Sequence, residues 1–399
     1  MKKLLLLGGL IYLKPVIDAA HKLGVHVITC DYLPDNIAHK YSDEYHNVSI
    51  VDKDAVLELA KRLKIDGIMS FAVDPGVVTA AYVAEQMGLP FAGTYSSVCI
   101  LQNKDLFRRF LTENGFNVPV AGGYKELSDA LEDLPHYTFP IIVKPTDSAG
   151  SKGVTRVDNP AQLSDAFQKA KVNSISGNVI IEEFIEKAGC SSDCDSFSVD
   201  GKMVLTTFNA QRFDDEAANP YTPSAYSWPS TFSEEEEQYL KKEIQRLVNL
   251  LGLRTSIYNV ETRISVDGKP YIMELSPRGG GNRLAEMERL ISGNDMIEAA
   301  VRGALGMPIN NLEQKVQQGH WAEIVLHSES DGTFNGVDIR KDMQQYVVEK
   351  ALLVSPGDAV HAFRGANDSL GTLVMKFPTD VLLQDALASQ REWIKISLA

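Results

Sequence analysis

The sequence has no apolar run close to the ~18 residues that a membrane span needs. A spanning helix is therefore not expected. The opening MKKLLLLGGLIYLKP has too short an apolar run, and no small-residue cleavage site follows it. It reads as the first strand of a fold rather than a secretory signal. Cysteine is scarce, with Cys30, Cys99, Cys190 and Cys194 alone. Cys190 and Cys194 are close, but no histidine pair lies nearby to complete the four ligands that zinc favours. Free thiols in a reducing cytoplasm are the expected state. Positive charge is outnumbered, 39 Lys and Arg against 53 Asp and Glu, for a net charge of −14. That balance argues against a nucleic-acid-binding surface. Two phosphate-binding signatures are missing as well. GxxxxGK[ST] does not occur, and Leu10 and Leu13 fill the third and sixth places of a dinucleotide fingerprint counted from Gly8. Asp31 stands where such a fold would hold a ribose, but an acid alone is weak support. No Ser-His-Asp arrangement is evident, and His320 and His327 read as core or surface residues.

What remains is an ordinary globular composition, 44% hydrophobic and 23% charged over 399 residues, enough for two or three domains. The first hundred residues alternate strands and helices. Strands are expected at Leu4–Leu7, Val25–Cys30 and Gly67–Phe71, and helices at Pro15–Leu23, Ala55–Leu63 and Val77–Met87. Such alternation implies a parallel sheet covered on both faces. Gly8-Gly9 would open a cleft at the strand ends.

Further on, Ser97 to Asn114 contains a helix carrying Lys104, and Tyr137 to Lys144 reads as a strand ending at Pro145. TDSAGSKGV follows, with glycines at 150 and 153 and Lys152 between them. Its composition suits a loop whose backbone amides cover phosphates. Asn159-Pro160 opens a helix, NVIIEEFI forms a strand at 178–185, and Asp200-Gly201 joins two more. Ser233 and Glu236 form a capping box for a helix to Leu251. Phe213 to Phe232, rich in Pro, Ser, Ala and Tyr, reads as an active-site loop. After residue 310, strands at His320–His327, Gly332–Val337, Val354–Phe363 and Gly371–Phe377 lead to a helix at Leu382–Trp393.

Ser256–Asn282 carries the strongest pattern. Two alternating runs flank Asp267-Gly268, a hairpin signal. A two-residue turn makes Val266 face Lys269, Arg263 face Ile272, Glu261 face Glu274 and Asn259 face Ser276. Tyr258, Val260, Ile264, Tyr271, Met273 and Leu275 then share the core face. Two glutamates directly opposed are destabilising unless something offsets their charge, and a divalent cation with oxygen ligands does so. Ser-Pro-Arg-Gly-Gly-Gly-Asn follows, an amide-rich loop suited to an anion.

This order of parts resembles the ATP-grasp superfamily. The resemblance covers about residues 1 to 305. It implies an α/β fold with a Rossmann-like domain at 1–96 and a two-lobed, α+β ATP-binding domain at 97–310. A mobile lobe would span about 138–209, and an antiparallel module 311–399. It implies ATP, bound through Lys104, Lys144 and a loop of Ser148, Gly150, Ser151, Lys152 and Gly153. The adenine linker would be Glu182, Glu183, Phe184 and Ile185. No Glu follows the linker, so the ribose would fall to Asp193 or Asp195, or to Glu182 or Glu183. Mg²⁺ or Mn²⁺ would be held by Glu261, Glu274 and Ser276, where serine replaces the family's usual asparagine. Arg278, Lys144 and Glu274 would be the catalytic groups, with Arg278 free to meet an acyl phosphate. The implied activity is an ADP-forming ligation of a small carboxylate to an amine. The alternatives are a purine-type ribonucleotide ligase or carboxylase, and a regulator without turnover. No nucleic acid or membrane partner is implied, and a homodimer is compatible.

Overall fold

In the computed structural model, which describes residues 1–148, 150–315 and 317–399, the first strand is buried from Leu4 to Leu7. Strand β1 (Lys3–Leu7) puts Leu4 and Leu6 into one core with the helices Lys14–Lys22 and Met296–Ala304. Leu5 and Leu7 point the other way, into a core with the helices Lys53–Leu63 and Asp74–Met87. Burial on both faces is the reason for an unbroken leucine run. With β2 (His26–Cys30), β3 (Glu44–His46) and β4 (Gly67–Ser70) it forms a parallel sheet in the order β3-β2-β1-β4. The Gly8-Gly9 turn is closed rather than open. A Cβ at Gly9 would fall 2.5 Å from Asn36 and 2.7 Å from the His39 ring. Asp31 accepts from Leu33 N and Asn36 Nδ2, so it fastens this loop.

The helix expected through 97–114 is two helices, Tyr95–Gln102 and Lys104–Glu113. Asn103 divides them because its side chain caps the second, accepting from Leu106 N at 3.1 Å. Next, β5 (Ala121–Tyr124), β6 (Ile141–Pro145), β7 (Thr155–Val157) and β8 (Val179–Glu183) form an antiparallel sheet, order β5-β8-β6-β7. The helix Leu163–Val172 covers it.

Strands β9 (Ser192–Val199) and β10 (Lys202–Leu205) follow, then β11 (Ala210–Phe213) and β12 (Pro223–Trp228). Residues 213–232, expected as a loop, therefore contain a strand. Tyr226 and Trp228 are buried in it, and the strand was hidden because Pro223 and Pro229 bracket it and Ser, Ala and Ser alternate with few apolar residues. The hairpin β13 (Ser256–Ile264) and β14 (Pro270–Ser276) completes the sheet β10-β9-β13-β14. The outer register is as expected, with Asn259 opposite Ser276 and Glu261 opposite Glu274. The inner register is not. Met273 bulges, so Thr262 faces Ile272 and Arg263 faces Tyr271. Ile272, not Tyr271, enters the core.

In the last ninety residues, β15 (His320–Leu326), β16 (Gly332–Ile339), β17 (Val347–Leu352), β18 (Ala359–Val360), β19 (Gly371–Phe377) and β20 (Ile394–Leu398) form two sheets. One is β18-β16-β20. The other, β11-β12-β15-β19-β17, joins these residues to strands from before residue 230. Val354–Phe363 holds only the short β18. The final helix is broken into Asp380–Ala388 and Gln390–Trp393, and β20 follows it.

Ser233 and Glu236 form the reciprocal cap on the helix Glu234–Leu250. Ser233→Ala should lower stability by about 1 kcal/mol in urea unfolding. An unchanged midpoint would show that the helix end is held by packing alone.

Candidate active site

Three carboxylates stand in one row across β9, β13 and β14. Glu261 is opposite Asp193 on one side and Glu274 on the other. The next row holds Asp195, Asn259 and Ser276. All six share a face, since directly paired residues and their second neighbours point the same way. Glu261 and Glu274 remain 31% and 32% exposed at their side chains. Each has one cation beside it, Arg263 at 3.4 Å and Lys104 at 3.6 Å respectively. Burial first, and then the Glu261 charge, push Asp193 up to about 7. Burial also pushes Asp195 to about 7, against the Gly280 N–H, which donates to it at 2.8 Å.

Lys104 begins its helix, with its own N–H bonded to Thr146 O at 2.9 Å. Its Nζ donates to Ser148 O at 3.3 Å. One side chain thus links the Gly/Ser loop to the acidic row. Within that loop Gly150, Ser151 and Gly153 have φ of 68°, 57° and 74°. This left-handed backbone is ready access for glycine but costly for Ser151. The Ser151 hydroxyl donates to Tyr221 O at 2.9 Å. Lys152 is exposed. Ala149, inside the loop, lies outside the described residues.

Lys144 is not directed at open space. Its Nζ is 2.6 Å from Glu182 Oε2, and Arg108 Nε is 2.8 Å from Glu182 Oε1. All three are nearly or fully buried. Burial alone would raise the Glu182 carboxyl, but Arg108 and then Lys144 outweigh it and bring it down to about 2. Burial lowers the Lys144 pKa despite this partner. Glu182 is therefore committed to two cations and is not available to a ribose. Arg108 was not singled out from the sequence. Its spacing was the available signal, one helical turn after Lys104 on the same helix.

The rest of the linker is held by its own backbone. Glu183 N bonds to Val120 O and Phe184 N to Pro140 O, both at 2.9 Å. Glu183 Oε1 accepts from Thr138 N at 2.7 Å. The Arg156 guanidinium lies 4.5 Å from the Phe184 ring centre, and Ile185 O accepts from Arg263 Nη1 at 3.4 Å.

Arg278 is not free, contrary to expectation. Nε and Nη2 each donate to Asp74 at 2.7 Å, a bidentate pair. Nη1 donates to Asn259 Oδ1 at 3.1 Å and Gly279 O at 3.0 Å. Ser276 is committed too. It is wholly buried, donating to Asp74 Oδ1 at 3.1 Å and accepting from Gln102 Nε2 at 2.8 Å. Both residues build a clamp between the helix Asp74–Met87 and the hairpin. Asp193 is buried within the acidic row. Its oxygens accept from Asn259 Nδ2 at 2.7 Å and Gln211 Nε2 at 3.3 Å. Gly279 must be glycine, because a Cβ there would lie 2.2 Å from the Phe71 ring. No group of three or more His, Cys, Asp or Glu is arranged to hold a metal by protein atoms alone among the described residues.

A family model described as the ATP-grasp domain matches residues 137–286, and one described as the ATP-grasp N-terminal domain matches residues 17–91. Formate-dependent phosphoribosylglycinamide formyltransferase of Synechococcus sp. (strain WH7803) is 28% identical over 312 residues, 77% of either chain. The carbamoyl phosphate synthase large chain of Thermotoga neapolitana is 24% identical over 300 residues, covering 74% of this chain but 25% of that one. Among solved structures, L-amino acid ligase from Bacillus licheniformis superposes with a TM-score of 0.82 at 20% identity, covering 100% and 99% of the two chains. Phosphoribosylglycinamide synthetase from Anaerococcus prevotii reaches 0.77 at 20% identity, covering 100% of both.

Two outcomes are expected. Glu182→Gln strands two buried cations and should cost about 3–5 kcal/mol at neutral pH. The folded carboxyl near 2 lies below its ordinary 4.5, so its stabilisation is present above 4.5 and lost as pH falls toward 2. The gap between variant and parent in urea unfolding should close over that window. Separately, Asp74→Asn and Arg278→Lys should each cost about 3 kcal/mol, and the double variant little more than either. Full additivity would mean the pair does not act as a unit.

Proposed function

We propose, from the premise that this chain belongs to the ATP-grasp superfamily, that it is an ADP-forming ligase joining a small carboxylic acid to an amine. The acid is activated as an acyl phosphate, and the amine displaces the phosphate. The observation that carries this reading is the opposed Glu261–Glu274 pair with Lys104 against it. Two partly exposed carboxylates with oxygen donors only suit Mg²⁺. When bound, that ion supplies neutralisation of phosphate charge and a template for the transferring group.

The chain's own residues divide the remaining work. Glu261 and Glu274 hold the metal. Lys104 and Lys144 lie toward the phosphates, where fixed positive charge is worth most because it needs no reorganisation. The amides of Ser148 and Gly150–Gly153 cover them, and the lobe at about 138–209 carries that cover. The 182–185 backbone borders the adenine. Glu182 positions Lys144, and Arg278 positions the hairpin and its glycine loop. We divide the chain at residues 1–96, 97–310 and 311–399, with the last segment completing the acceptor side. The formyltransferase relative, by its printed name, pairs formate with a ribosylated glycinamide. That favours a primary amine on a small or ribosylated molecule as acceptor. No helix is long and apolar enough to cross a membrane among the described residues, and the four cysteines are free. We place the protein in the cytoplasm and expect a homodimer.

ATP, Mg²⁺, hydroxylamine and a panel of small acids provide the test. One acid should give a hydroxamate with ADP and phosphate released together. AMP and pyrophosphate would overturn the reading. Glu274→Gln should lower this turnover at least about a hundredfold. Its melting temperature without metal should be unchanged or higher, because a like-charge pair is relieved. A clear fall would make the pair structural.

A further inference from the structure

Glu323 lies in the middle of β15, wholly buried, and neither carboxylate oxygen has a hydrogen-bond partner among the described residues. It belongs to neither the phosphate nor the metal set. Its cross-strand neighbours are Tyr226 on β12 and Val374 on β19, so the three share one sheet face. The helix Leu284–Ser292 packs on that face through Leu284 and Met287. The charged groups facing Glu323 are Arg283, Glu286 and Glu349. Arg283 does not compensate it. That guanidinium is 2.9 Å from Glu349, 3.3 Å from Glu286 and bonded to Thr372.

The surroundings place this carboxylate beside the reaction centre. The Tyr226 hydroxyl accepts from Asn282 Nδ2 at 3.1 Å and donates toward Asp193 Oδ2 at 3.5 Å. Asn282 closes the triple-glycine loop, and Asp193 is opposite Glu261. Tyr12 approaches from the N-terminal domain, where burial and then the Glu323 charge push its pKa to about 12. Burial raises the unpartnered Glu323 carboxyl well above its ordinary range, a penalty that a cationic partner would remove. Lys104, Lys144 and Arg108 all stand on the phosphate side. Arg283 is the one positive charge facing Glu323, and its guanidinium is already engaged by Glu349, Glu286 and Thr372.

We propose that Glu323 binds the amine substrate, its two oxygens accepting N–H groups from a cationic nitrogen held beside Tyr226 and Asn282. This rests on the ligase reading and assigns the second substrate's class, a molecule bearing a protonated amine. The site orients that substrate next to the acyl group and turns away neutral and anionic competitors, which would leave the carboxylate unpaired.

Calorimetric titration tests this on the full chain with a non-hydrolysable ATP analogue and Mg²⁺. The probes are glycinamide, L-alaninamide and ethanolamine, each against its N-acetyl counterpart. At least one amine should bind, its N-acetyl form should not, and Glu323→Gln should weaken binding at least about tenfold. In turnover the amine KM should rise by a similar factor, with the ATP KM moving much less. Equal binding to Glu323→Gln, or no amine binding to the parent, overturns the proposal. So does a sharp fall in the unliganded melting temperature of Glu323→Gln, since that marks a structural carboxylate. Amine binding that depends on Glu323 in a protein releasing no ADP with any acid would refute the ligase reading and leave this assignment standing.

Discussion

The bidentate pair between Asp74 and Arg278 is the contact on which the arrangement depends. Asp74 begins a helix of the parallel-sheet domain, and Arg278 ends the hairpin that carries the acidic row. Ser276, Asn259 and Gly279 all bond to one member or the other. The Ala72 N–H donates to Gly279 O at 3.0 Å, and the Phe71 ring fills the space a side chain at Gly279 would need. Buried charge tolerates no slack, because any partner that moves away leaves the other unsolvated. The pair therefore fixes the N-terminal domain against the strands of the acidic row to within hydrogen-bond tolerance.

A second charge balance sets the chemistry. Arg108, Lys144 and Lys104 crowd one side of the site, with Glu182 and Glu274 between them. Without Glu182, two buried cations would face each other with no counter-charge between them. With it, Lys144 keeps one partner and one fixed position. On the opposite side, carboxylates predominate, and Asp193 and Asp195 rise to about 7 through burial. The site is thus polarised before any substrate enters. Such fixed polarity suits a reaction in which phosphate charge must be met on one side and a cationic nitrogen on the other.

The sequence made the parallel sheet of the first hundred residues legible, because β1, β2 and β4 are almost wholly buried, whereas the three-residue, half-buried β3 gave no such signal. The Glu261–Glu274 opposition was legible from alternation about Asp267-Gly268. The bulge at Met273 was not, since a bulge is set by the strand's neighbours. One of these is Arg108, which donates to Met273 O at 2.8 Å. The commitments of Arg278, Ser276 and Glu182 were equally hidden, because their partners lie 204, 202 and 74 residues away along the chain, at Asp74 for the first two and Arg108 for the third. A motif names a residue type and an order. It does not reveal which of its atoms are already in use. Tyr226 and Glu323 were missed for a related reason, since each is one position in a strand whose pairing joins distant segments.

That same pairing has a consequence for synthesis. β12 is covered on one edge by β11 and on the other by β15, which the ribosome makes much later. At about 5–20 residues per second, β12 waits for seconds with an open edge carrying Tyr226 and Trp228. An uncovered edge with aromatic side chains recruits other strands. The nascent chain is therefore most vulnerable to aggregation after the ATP-binding parts are complete and before the C-terminal strands emerge. Premature termination in that interval would release a product with its basic cluster intact and an adhesive edge.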